Sequence, residues 1–335
     1  MFLKANFHYI NSTTGNNISP NSYRKVPFDK RQLSTLVAME SPEAVHREVI
    51  HILGLISPSI DSEPVHRVFR FTVDLYEGKL AQYKACNTDY HDLRHITDTY
   101  LAMARLLHGA QLSGEDISAP DTFLGLTGAL MHDTGMIQES IDAEGTGAKY
   151  TQEHVKLSMD FVVKHAETLH VKDQKLTDLL LMIQCTDLMA DIPAISFSSA
   201  KIKLLGKILG TADLIAQMAD RTYLEKLLFL YHEFREAEMG EFKNEVDFLH
   251  QTLNFFEISA KRFEETLDNT SRYMVPHFNA RWGINENLYT TALGNQRNFL
   301  EKVLANKDIS IYQELKRSKI VQEVRQKFGN TGLGE

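Results

Sequence analysis

The residues able to carry chemistry in this chain concentrate in three short stretches. In Tyr90-His91-Asp92-Leu93-Arg94-His95 two histidines stand four apart, the spacing that stacks side chains on one face of a helix. Alone, such a pair is more often structural in a chain holding 14 histidines. In Gly128-Ala129-Leu130-Met131-His132-Asp133 an imidazole and a carboxylate end an apolar stretch that begins at Phe123. Burying both there is costly unless a metal or a partner compensates. The third stretch, Gly210-Thr211-Ala212-Asp213-Leu214-Ile215, sets one carboxylate among small and apolar residues, a pattern that by itself suits a capping or ion-pairing residue.

Together the three stretches supply two imidazoles and two carboxylates: His95, His132, Asp133 and Asp213. Such a set suits borderline and hard divalent cations (Zn²⁺, Mg²⁺, Mn²⁺ or Fe²⁺) and leaves coordination positions open for water and substrate. Asp133, with two oxygens, could reach a second ion as well. Two ions about 3.5–4 Å apart can clamp a phosphoryl group during in-line displacement.

The order His, His-Asp, Asp resembles the signature of the HD superfamily of metal-dependent phosphohydrolases. Within it, Tyr90-His91-x-x-x-His95 is similar to the Y-H-N-x-x-H motif of the cyclic nucleotide phosphodiesterases. Glu153, ahead of Leu157-Ser158-Met159-Asp160-Phe161, resembles their L-E-N-H-H-L-A-V-G-F segment. Thr186-Asp187-Leu188 is similar to their T-D-M, and Asp213 with Glu233-Phe234 to their A-D-x-x-N helix and E-F-F-x-Q-G-D sequence. The similarity runs from about residue 85 to 240, with the motifs in the family's order.

The resemblance implies an all-helical fold and one or two divalent ions held by His95, His132, Asp133 and Asp213. It implies hydrolysis of a 3′,5′-cyclic nucleotide to the 5′-monophosphate by a hydroxide bridging the ions, with His91 as general acid. Asp133 would take part in the chemistry as the bridging ligand, while Tyr90, Glu153 and Asp187 would support the ligands from behind. A first-turn helix carboxylate is the plain alternative for Glu153, whereas Asp187 interrupts the apolar stretch Leu179 to Met189. In Gln296-Arg297-Asn298-Phe299 the family's Q-x-x-F spacing recurs, which implies a base held between the Gln296 amide and the Phe299 ring. The chain departs from the family where Met136 replaces the second histidine of H-D-x-x-H, where Asp191 replaces that of T-D-M-x-x-H, and where Asp92 replaces asparagine. The alternatives are another HD-type phosphohydrolase, such as a nucleotidase, and a degenerate protein that binds a nucleotide without turnover.

The elements that must position these residues read as helices throughout. Candidates are 41–56, 64–84, 90–108, 121–132, 150–168, 173–190, 198–236, 241–267, 286–305 and 310–327, so the class is all-α. Residues 1–25, with Asn11 to Asn17, read as a loose leader. Residues 26–335 read as a single domain, with loops at Ser113–Pro120 and Gly135–Gly147. A net charge of −8 without a basic block argues against nucleic acid as a partner. Two cysteines, Cys86 and Cys185, allow no disulfide framework. No h-region or transmembrane run is present, which points to a soluble cytoplasmic protein with a small nucleotide substrate; a homodimer is left open.

Overall fold

The computed structural model describes residues 32–306 and 310–329. The leader expected at 1–25 lies outside the described residues. Fourteen α-helices follow one another: α1 (Leu33–Leu36), α2 (Pro42–Ile56), α3 (Glu63–Tyr76), α4 (Leu93–Leu112), α5 (Ala119–Met131), α6 (His154–Lys164), α7 (Asp173–Ile183), α8 (Ala200–Ala219), α9 (Tyr223–Glu236), α10 (Glu245–Lys261), α11 (Met274–Trp282), α12 (Leu288–Ala305), α13 (Ile311–Glu314) and α14 (Ile320–Phe328). The class is all-α: among the described residues the sole β feature is an isolated antiparallel bridge between Tyr83 and Glu139. No helix among them is long and apolar enough to cross a membrane.

Two helices form the centre. Every residue of α4 from His95 to Ala110 is buried, and α8 is buried along most of its length. A helix covered on all sides needs few charges of its own and many neighbours. Accordingly α2, α5, α8 and α11 all pack on α4, while α5, α7 and α12 pack on α8. A second apolar cluster joins α9, α10, α12 and α14 around Leu227, Leu249, Leu300 and Val324. The sequence stretches that carry the candidate ligands are thus the stretches buried at the middle of the fold.

Helix ends follow local chemistry. Ser41 caps α2, its Oγ accepting from Ala44 N at 3.2 Å with Pro42 behind it. The helix expected over 64–84 stops at Tyr76, because the chain reverses at Gly78 (φ +71), where an added Cβ would lie 2.6 Å from Ala85 N. The long helix expected over 198–236 is two: at Asp220 the backbone turns to ψ 132 and the carboxylate accepts from Thr222 N at 2.9 Å. Likewise 310–327 divides into α13 and α14, and 241–267 ends in a π-turn over Arg262–Thr266. Helix α11 has no counterpart among the expected helices, since Pro276 within Met274–Trp282 obscures its periodicity.

Neutral histidines brace α4 against its neighbours. His108 Nδ1 lies 2.9 Å from His277 Nδ1, and His46 stacks on Phe69 while its Nε2 meets His66 Nδ1 at 2.7 Å. Burial, aided by the charges of Arg281 and His51, pushes His108 down to about 4. Burial, His66 and Arg70 do the same for His46. His277 is held well below its ordinary value by burial and by Arg105. Their folded pKa values lie below the unfolded value, so the unfolded chain binds more protons in this range. The stability they contribute is therefore present above about pH 6.5 and lost as pH falls towards 4. The unfolding free energy of metal-loaded protein, from urea titrations, should drop over that interval by up to about 1.4 kcal/mol per pH unit for each such histidine. A His277→Gln variant should show the shallower slope.

Candidate metal centre

Helix α4 starts at Leu93, with Asp92 as its cap: Asp92 Oδ1 accepts from His95 N at 2.8 Å. The capping carboxylate fixes the first turn, which aims the His95 ring inward. His91 therefore precedes the helix, and the expectation that it shares a helical face with His95 is corrected. What aims His91 is Glu233 on α9. Glu233 Oε2 accepts from His91 Nδ1 at 2.7 Å, while Oε1 accepts from the backbone N–H groups of Asp89 and Tyr90 at 2.9 and 2.7 Å.

The four candidate ligands, drawn from α4, the end of α5 and α8, converge. His95 Nε2 lies 3.2 Å from His132 Nε2, 3.2 Å from Asp133 Oδ2 and 3.2 Å from Asp213 Oδ1. His132 Nε2 lies 3.3 Å from Asp133 Oδ2 and 3.4 Å from Asp213 Oδ1. An ion about 2.0–2.2 Å from each donor sets donor–donor edges of about 3–3.5 Å. The spacing of His95, His132 and Asp213 is that of three donors around one centre, with Asp133 Oδ2 lying against both imidazoles.

Proton accounting leads to the same place. His132 Nδ1 lies 3.0 Å from Ala129 O, and a carbonyl only accepts, so Nδ1 carries the proton and the lone pair of the neutral ring is on Nε2. That lone pair faces two carboxylate oxygens. Asp133 Oδ2, although surrounded by imidazole nitrogens, is buried without an aligned hydrogen-bond partner. Three residues within reach of one ion, with an orphaned carboxylate oxygen beside them, fit a cation there. Without an ion, protons must take its place. Burial would depress His95, but hydrogen bonds and charge from Asp133 and Asp213 carry it up to about 10. His132 is raised as well: the charges of Asp133 and Asp213 outweigh its burial. Protons and a divalent ion thus compete for the same lone pairs, so ion binding should strengthen as pH rises.

The structure adds a histidine that the motif reading passed over. His154, the first residue of α6, points Nε2 at Asp133 Oδ1 across 3.5 Å, and its Nδ1 donates to Thr151 O at 2.7 Å. It again faces a carboxylate with its lone pair, on the oxygen of Asp133 that the first cluster leaves over. Met136 is buried and offers no nitrogen. An imidazole reaches the far oxygen of Asp133 from position 154; the signal was present in the sequence as the residue next to Glu153. Close packing makes this possible, because Gly135 N donates to Ser158 Oγ at 2.9 Å and a Cβ on Gly135 would lie 2.1 Å from His154 O. Gly135→Ala should push α6 away, destabilise the fold by about 1–3 kcal/mol in a thermal melt, and leave ion binding at His95, His132 and Asp213 intact by elemental analysis.

The remaining expected site residues divide. Tyr90 is buried and reaches the cluster through Gln217: its hydroxyl donates to Gln217 Oε1 at 2.6 Å, and Gln217 Nε2 donates to Asp213 Oδ1 at 3.4 Å. Glu153 is exposed beside the start of α6 and makes no hydrogen bond to the ligands. Asp187 turns back on its own loop, accepting from Met189 N at 2.8 Å. Neither supporting carboxylate is brought to the cluster; Gln217 and Glu233 occupy that layer instead. Gln296 and Phe299 do not meet the cluster either. Both ends of the Gln296 amide are taken, Nε2 by Asp220 O at 2.5 Å and Oε1 by Arg317 Nη1 at 2.8 Å, and Arg317 stacks on Phe299. The open side of the centre is marked by His154, His91 and Asp213, whose side chains are 23%, 13% and 11% exposed against 0% for His132. No family model, no curated protein and no solved structure matches the chain.

Proposed function

We propose that this protein is a divalent-metal-dependent phosphohydrolase acting on a small phosphoester, with a 3′,5′-cyclic nucleotide as the first substrate to examine. The observation that carries the reading is the convergence of His95, His132 and Asp213, with Asp133 Oδ2 against both imidazoles, beside a histidine whose Nδ1 is tied to a carboxylate. A bound divalent ion would supply charge neutralisation and a nucleophilic oxygen at neutral pH. The protein's own residues do the rest. Asp133 presents Oδ2 to one imidazole pair and Oδ1 to His154, so one carboxylate serves both halves of the centre.

His91 is the group placed to protonate a leaving oxygen. Its Nδ1–H is fixed on Glu233, which directs Nε2 towards the open side. Burial opposes its charge, but Glu233 outweighs burial and raises its pKa, which favours the acid form. The finer assignment to cyclic nucleotides rests on the resemblance of the motifs to the phosphodiesterases. The test is an assay of cyclic mononucleotides, cyclic dinucleotides and nucleoside monophosphates with Mn²⁺, with products identified. Release of a 5′-monophosphate from a cyclic mononucleotide supports the reading; inorganic phosphate from monophosphates alone moves it to a nucleotidase. No turnover of any substrate by metal-loaded protein overturns it.

A further inference from the structure

A cavity of about 590 Å³ lies between α1, α4, α8 and α12, and none of His91, His95, His132, Asp133 or Asp213 lines it. That volume is within the range of pockets for small organic ligands. Its walls are of three kinds. Ala216 and Ala219 on α8 with Leu288 and Ala292 on α12 form an apolar slot. On the rim stand the guanidinium groups of Arg221 and Arg317, both exposed; Arg317 already donates through Nη1 to Gln296 Oε1 and Arg221 O, so a phosphate would meet its remaining N–H groups. At the inner end is Asp98, 5% exposed, whose Oδ1 has no hydrogen-bond partner. On the same wall Asp220 Oδ2 pairs with Lys226 Nζ at 3.3 Å, and Arg94 Nε lies 3.8 Å from Asp98 Oδ2.

A buried polar atom left without a partner costs about 1–3 kcal/mol, and Asp98 Oδ1 is such an atom on the cavity wall. Inorganic phosphate would answer the rim and leave the slot and Asp98 unmet. A hydrocarbon would answer only the slot. A matching ligand has a flat body, an anionic end and an edge of N–H groups. We propose that this cavity is a second ligand site, separate from the metal centre, for a nucleoside monophosphate whose base carries an amino group. The base lies between α8 and α12 with its amino edge on Asp98, and the phosphate meets Arg221 and Arg317. Burial pushes the Asp98 carboxyl up to about 8. A protonated carboxyl offers a donor and an acceptor side by side, as the amino edge of adenine requires. A slot of about 10 Å³, lined by Tyr90, His95, Asp98, Gln217, Asp220 and Lys226, lies alongside, sharing Asp98 and Asp220 with the cavity and His95 with the centre. The cavity and the cluster share no lining residue, and the proposal does not depend on the catalytic reading.

The test is calorimetric titration of the full chain, stripped of metal by a chelator, with AMP, adenosine, ribose 5-phosphate and inorganic phosphate. AMP should bind saturably, and more tightly than any of the three fragments. Ala292→Phe, at a half-exposed position where the added ring fills the slot, should abolish AMP binding. Arg221→Ala should weaken AMP at least ten-fold and leave adenosine unchanged. Asp98→Asn, which keeps a donor beside an acceptor, should retain binding, and His95→Ala should retain it fully. Absence of AMP binding, AMP binding unchanged in Ala292→Phe, or inorganic phosphate competing as well as AMP would each overturn the proposal. Loss of AMP binding in His95→Ala would overturn it as well, by placing the nucleotide at the metal centre.

Discussion

Replacing His95 by alanine is expected to strip the protein of its ion and to abolish turnover. The ring nitrogen of His95 stands 3.2 Å from each of the other three donors, so it belongs to every edge of the cluster that passes through it. Three donors remain in the variant, and water entering the gap does not match an imidazole in affinity for a borderline cation. The two carboxylates, Asp133 and Asp213, would also lose the group that now offsets their mutual repulsion. They would take up protons in its place, which opposes rebinding of an ion. Elemental analysis should show the ion content falling to background, and hydrolysis should fall by about four orders of magnitude or more, the scale on which removal of an essential ion acts. Full ion content with undiminished turnover in His95→Ala would remove the cluster from the account.

His91→Ala should separate proton delivery from ion binding. His91 contacts Glu233 and none of the converging donors at hydrogen-bond distance, so the ion should remain while kcat falls by about 10²–10⁴, the usual range for a positioned acid. A substrate with a more acidic leaving group should recover part of the loss. Glu233→Gln refines the point, because an amide oxygen can still accept from Nδ1 but carries no charge. Since Glu233 raises the His91 pKa, its neutralisation lowers that pKa. The acid form is then lost at lower pH, and the alkaline fall in kcat/KM should move to lower pH with ion content unchanged. An alkaline limb that stays in place, or loss of the ion together with activity, would make His91 something other than the acid.

Much of this protein follows from its sequence alone, for reasons of chemistry and period. Helical periodicity and the scarcity of strand-like alternation determine an all-α chain, and Ser41-Pro42 marks a helix start that the structure keeps. The four ligands are legible because ionisable residues inside apolar stretches demand compensation, and His132-Asp133 and Asp213 sit in such stretches. What the sequence could not decide is every relation that crosses between helices. Spacing suggested that His91 and His95 share a helical face, but Asp92 caps the helix between them, and Glu233, more than a hundred residues away, aims His91. His154 reaches Asp133 from the start of α6, through an approach that only a glycine at 135 permits. Gln296 has a motif's spacing and yet spends both ends of its amide on Asp220 and Arg317. Local pattern reports which groups are buried, whereas their partners are set by how α4, α8, α9 and α12 pack, a property of the whole chain that no window of neighbouring residues contains.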